Sequence, residues 1–120
     1  MITPWHPIRL NGSQWVFPCS LVSSPTDVSC EAVYSFALDQ GHTIWVNDIE
    51  CVTLGHGFKE DVVRHSYYGT QRIIEDLRIL DGQQQCTGVV EIQSQWIVRN
   101  KRTSLVNSIR QPQNINIISD

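Results

Sequence analysis

Thr3 and His6, separated by Pro4 and Trp5, have the residue types and the spacing for acid–base chemistry near the start of this 120-residue chain. A histidine ring ordinarily titrates near neutrality, so it can supply or take a proton at working pH. Pro4 pre-sets the backbone between the two and would help hold Thr3 and His6 on one side. Taken alone, His6 better fits an ordinary residue leading into a strand before Pro7. Three further histidines follow. His56 lies between Gly55 and Gly57, whose backbone freedom suits a ring placed by a bend and, equally, an exposed turn. His42 opens an apolar run, and His65 reads as a surface or packing residue.

Other chemistries find less support. Cys19, Cys30, Cys51 and Cys86 form no C-x-x-C pair, so no zinc site is expected. No secretory leader precedes them, so the thiols are expected reduced, with Cys51 a buried structural one. Neither a Gly-rich phosphate loop nor a paired-carboxylate signature is present, and no cofactor is expected. The net charge of −3 gives no reason to expect nucleic-acid binding. The late basic residues Arg99, Lys101, Arg102 and Arg110 read as a solvated tail. Without a signal peptide or a membrane-length apolar run, a cytoplasmic location without membrane contact is expected.

Mostly strands must position these residues. Apolar and β-branched runs at 8–10 and 14–17 flank Asn11-Gly12, a hairpin signal. Residues 18–27 read as a loop. Strands are expected over 31–38, 42–46 and 49–54, turned by Asp39-Gln40-Gly41 and Asn47-Asp48, as a three-stranded meander. The spacing of Ile73, Ile74, Leu77 and Leu80 predicts one amphipathic helix over about 71–80, capped by Thr70 and ended by Asp81-Gly82. One or two strands are expected over 89–98. Residues beyond 103 read as a loose polar tail, although Ile115, Ile117 and Ile118 alternate enough for a terminal strand.

The order of the pieces carries more than any one of them. Thr3-Pro4-Trp5-His6 comes first, then the strand pattern from Tyr34 to Leu38, then His42, then Cys51 to His56 in the wording Leu54-Gly55-His56-Gly57. His65-Ser66-Tyr67-Tyr68-Gly69-Thr70 and the helix follow. Over roughly residues 2–95 this resembles the second half of a Hint domain, the self-processing fold shared by inteins and Hedgehog C-terminal domains. It is most similar to the Vint branch found beside von Willebrand A domains.

The resemblance implies a mainly β, horseshoe-type C-terminal half over 1–57, a Vint-like extension bearing the helix over 58–98, and a polar tail over 99–120. It also implies a single-turnover cleavage of the chain's own backbone. A Cys or Ser opening the domain attacks the preceding carbonyl in an N-to-S or N-to-O acyl shift. By the same resemblance His6 is the general acid or bond-polarising group, Thr3 its helper, and His42 and His56 members of the same site. Gly57 follows His56 and has no side-chain amide to cyclise, so splicing is not expected; hydrolysis or transfer to another nucleophile remains. The attacking residue precedes Thr-x-x-His in such domains, so the chain alone is expected to be silent. Its expected partners are an N-terminal segment or fragment bearing that nucleophile and an upstream fused protein as substrate. The alternative is a non-catalytic β scaffold or interaction module derived from a Hint domain.

Overall fold

Two turns of left-handed backbone organise the first sheet. Asn11 and Gly12 take φ of 51° and 71°, and Asn47 and Asp48 take 49° and 64°. Two successive positive φ values mark the hairpin turns whose twist matches that of the flanking strands. In the computed structural model, which describes residues 3, 5–22 and 32–111, the strands they border are β1 (Ile8–Leu10), β2 (Thr43–Val46) and β3 (Ile49–Val52). Asn47-Asp48 joins β2 to β3. The central strand is β3, antiparallel to β1 on one side and to β2 on the other.

This sheet is narrower than the sequence suggests. The expected strand over 14–17 is reduced to one bridge, in which Ile8 and Val16 exchange two hydrogen bonds of 2.9 Å. Trp15 turns inward and is buried, and Pro18 begins a short 3₁₀ turn, Pro18–Ser20, that ends the pairing. The expected first strand of the meander is corrected further. Residues 32–38 belong to no strand and are exposed, held by a bond from Leu54 N–H to Phe36 O of 2.8 Å. A strand needs a neighbour for its backbone groups as well as the right side chains. Glu31 and the 23–27 part of the expected loop lie outside the described residues.

A second layer begins at α1 (Gln71–Gln83). Thr70 caps it, its hydroxyl accepting from Arg72 N–H at 3.3 Å. The helix runs through Gly82 and past the expected end, to Gln83. Gly82 is solvent-exposed, so its cost there is one of propensity alone. Ile73 and Leu80 are buried against β5 (Val106–Ile109), which pairs antiparallel with β4 (Ile97–Arg99).

β5 overturns the expectation of a loose tail beyond 103. Val106, Ser108 and Ile109 are all buried. Helix α1 holds the strand in place: Asp76 Oδ2 accepts from Ile109 N–H at 3.3 Å, and Arg72 Nη2 donates to Asn107 O at 2.8 Å. The expected strands over 89–98 are realised only as β4, entered through a 3₁₀ turn at Ser94–Trp96. The expected terminal strand over 115–118 lies outside the described residues. The fold is mainly β, with two antiparallel sheets and one α-helix among the described residues.

Two apolar clusters follow from this layout. Trp15, Val52 and Val63 pack together beneath the first sheet, with Phe58 and Val62 at their edge. Tyr67, Ile73, Leu80, Val106 and Ile109 form the other, under the helix. The segment between β3 and α1 touches both; it carries His56 and His65 and meets the His42 ring through Phe58.

Candidate active site

His6 stands at the end of β1 nearest the exit from β3. Its backbone N–H donates to Thr3 O at 3.3 Å, so the two Thr-x-x-His residues share a tight turn. Its ring reaches across to β3, where Nε2 lies 2.9 Å from Val52 O. A carbonyl oxygen only accepts, so Nε2 must carry the hydrogen. In the neutral ring Nδ1 is then the nitrogen with a free lone pair. Thr3 is exposed, and its tie to His6 runs through the backbone.

His42 is placed by the other flank of the sheet. Thr53 N–H donates to His42 O at 2.9 Å, one row beyond the pairing of Thr43 with Val52. His6 and His42 are therefore anchored to adjacent residues, Val52 and Thr53, from opposite sides of β3. The His42 ring is exposed and meets Phe58 edge-on at 5.8 Å.

His56 is buried and reaches the same phenyl ring from the other direction, stacked at 5.1 Å. Its Nδ1 accepts from Phe58 N–H at 2.9 Å, which fixes Nδ1 as unprotonated. Burial, and then the nearby charge of His42, push its pKa below the ordinary value, while a backbone hydrogen bond to Val63 pulls the other way. A neutral ring with its lone pair committed is a poor proton carrier. Gly55 and Gly57 both have positive φ, 71° and 73°, as a bend around His56 demands. At Gly55 a Cβ would also come within 2.9 Å of Ile74 Cγ1 on the helix.

The stretch over 65–70 closes over this bend. Tyr68 O accepts from Gly55 N–H at 2.7 Å and Gly69 O from Gly57 N–H at 2.8 Å. Gly69 makes the close approach possible: a Cβ there would lie 2.8 Å from His65 O and 3.0 Å from His56 Cε1. His65 Nδ1 accepts from both Tyr67 N–H, at 3.1 Å, and Tyr68 N–H, at 3.0 Å, and burial lowers its pKa. Its place inside the loop agrees with the packing role expected for it. Tyr67 is fully buried and donates its hydroxyl to Asp76 Oδ2 at 2.6 Å; burial first, then the Asp76 bond, push its pKa far up.

Sequence reasoning passed over Thr53. It is 4% exposed, and its hydroxyl is buried with no hydrogen-bond partner among the described residues. A threonine at the end of an apolar strand carries no signal of that kind, because the orphaned hydroxyl arises from what surrounds it. Cys51, by contrast, is buried as expected, with its pKa raised by burial, so it is not a reactive thiolate. A cavity of about 540 Å³ lies at the far end of α1, lined by Gln84, Glu91 and Trp96 among others, and no histidine lines it. Among the described residues, no cluster of His, Cys, Asp and Glu is placed to hold a metal ion, and no helix is long and apolar enough to cross a membrane.

Comparison with known proteins adds one finding. A family model described as Vint, Hint-domain, matches residues 1–108, most of the chain. No curated protein matches it.

Proposed function

This chain belongs to the Vint family of Hint domains, an autoprocessing type, and from that premise we propose that it supplies the proton-handling half of an acyl-shift cleavage site. The observation that supports this most is the His6–Val52 bond of 2.9 Å, which ties up Nε2 and leaves Nδ1 available. In the proposed reaction a Cys or Ser on an N-terminal segment attacks the carbonyl carbon that precedes it. A C–S or C–O bond forms and the C–N bond breaks. Nδ1 of His6 takes up the nucleophile's proton, directly or through solvent, and the protonated ring then delivers it from Nδ1 to the departing nitrogen, so the shift is proton-neutral. Water or another nucleophile then opens the ester or thioester and releases the upstream protein.

Thr3 and His42 belong to this proposal in supporting roles. Thr3 shares the turn that aims His6. His42 is exposed on the opposite flank of β3. His56 serves by holding the bend, since its lone pair is engaged by Phe58 N–H. Gly57 has no side chain to cyclise, so the reaction ends at N-terminal cleavage. The proposed partner, the segment carrying the nucleophile, would cover apolar side chains that are now exposed, Val33, Tyr34, Phe36 and Trp45.

The test is gel-resolved cleavage of a precursor that joins the N-terminal segment and an upstream protein to this chain, with and without added thiol. Cleavage before the nucleophile is expected. His6→Ala should slow it on the order of a hundred- to ten-thousandfold, the usual weight of a general acid–base group. Equal rates for wild type and His6→Ala would reject His6 as the proton carrier, and cleavage after Gly57 would refute the C-terminal argument. A second reading, an interaction module without chemistry, draws on the same exposed apolar side chains. It predicts tight binding of the N-terminal segment with no cleavage at all.

A further inference from the structure

Pro7 stands between His6 and the first residue of β1, and its nitrogen has no hydrogen to donate. The register of β1 on β3 pairs Arg9 with Glu50 and Ile8 with Cys51. One row further it sets Pro7 opposite Val52, and Val52 N–H donates to Pro7 O at 3.4 Å. Residues opposed in this way in an antiparallel ladder exchange two hydrogen bonds. The second would run from the residue-7 N–H to Val52 O, and proline cannot make it. The neighbouring Ile8 N–H is committed elsewhere, to Val16 O at 2.9 Å. Val52 is a buried residue, and a buried carbonyl needs a donor. His6 Nε2, at 2.9 Å, is that donor.

We propose that Pro7 is a positioning residue for His6: by withholding a backbone N–H it reserves Val52 O for the ring, fixes the Nε2–H tautomer and turns Nδ1 toward the reacting peptide bond. Only the last step rests on the autoprocessing reading. A proline here does two jobs. It ends the ladder one residue early, and it converts the vacated acceptor into the anchor of a side chain. Any other residue at position 7 would bring an amide that competes with the ring for the same oxygen.

Nitrogen-15 NMR on this chain tests the assignment without any cleavage. In the wild type the neutral His6 ring should show the Nε2–H tautomer, with its proton bonded to the Val52 carbonyl. In Pro7→Ala the new amide at position 7 should become protected from exchange, and His6 should relax to a mixture of tautomers. A segment carrying N-methylalanine at position 7, ligated at Cys19, restores a nitrogen without hydrogen and should restore the wild-type tautomer. It also decides the matter if Pro7→Ala does not fold. In the cleaving precursor Pro7→Ala should slow the reaction by up to about a hundredfold, the scale of a misaligned catalytic group, with little further loss in the His6→Ala background. An Nδ1–H tautomer in the wild type would overturn the proposal. So would a folded Pro7→Ala variant with an unprotected amide at position 7 and an unchanged ring, or an N-methylalanine variant that loses the tautomer. An anchored ring in a precursor that never cleaves would uphold Pro7 and reject the autoprocessing reading.

Discussion

Two atoms on neighbouring residues, Val52 at the end of β3 and Thr53 just past it, show how differently polar groups are handled around the histidines. Val52 O gains a ring N–H as its partner, whereas Thr53 Oγ1 has none among the described residues. A buried hydroxyl without a partner costs about 1–3 kcal/mol in desolvation, and an apolar isostere avoids that cost. Thr53→Val keeps the shape and the β-branching. It should therefore leave the fold intact and raise the unfolding free energy by about 1 kcal/mol, read as a higher denaturant midpoint at unchanged slope. A clear loss of stability would mean that the hydroxyl is bonded after all.

At the scale of elements, the loop from His65 to Thr70 and the helix behind it hold the bend around His56. Both His56 and His65 have pKa values below the ordinary 6.5, each chiefly through burial. Folding therefore favours the neutral rings, and the unfolded chain binds protons first as pH falls. The stability due to this preference is complete above about 6.5 and is lost as pH falls through the lower folded values. Melting temperature should be flat from about pH 8 to 7 and decline toward about pH 5, and His65→Asn should flatten part of that decline. A pH-independent melt over this window would contradict the burial of the two rings. Glu50, held low chiefly by its bidentate bond to Arg9, adds a separate loss in more acidic solution, as pH falls below its ordinary 4.5. The hydroxyl of Tyr67 links the loop to Asp76, whose Oδ2 also accepts from Ile109 N–H. Tyr67→Phe removes one donor from that carboxylate and should cost about 1–3 kcal/mol of unfolding free energy.

Across the whole molecule, two sheets and one helix share their burden unequally. The first sheet carries His6 and His42 and relies on a cluster of three buried residues, Trp15, Val52 and Val63. The second sheet and α1 form the larger cluster, and β5 is its last part. Deleting residues from 105 onward removes Val106 and Ile109 from that core, together with the strand partner of β4. The expected outcome is loss of cooperative melting for the helix and, through Gly55, Gly57 and Gly69, for the bend around His56. The milder Ile109→Ala should cost about 2–5 kcal/mol, as such core truncations do. If the truncated chain keeps its helical circular dichroism and melts as before, β5 is not the support described here.

Much of this was legible in the residues themselves. The helix, its Thr70 cap and the two left-handed turns at Asn11-Gly12 and Asn47-Asp48 depend on local chemistry, which neighbouring residues determine among themselves. The family likeness was also legible, because the order of motifs along the chain is a property of the sequence. Tertiary structure decided the rest. Residues 32–38 alternate like a strand but lie unpaired, since pairing depends on a partner that no local pattern specifies. Val106–Ile109 sits in a polar stretch, yet it is buried because α1 and β4 offer it hydrogen bonds and an apolar face. Thr53 looked unremarkable and became an orphaned hydroxyl through enclosure alone. The histidine types and spacing could be read in one dimension. Which nitrogen of His6 stays free could not, because that depends on Val52 O, 46 residues away in the chain, and on the hydrogen that Pro7 lacks.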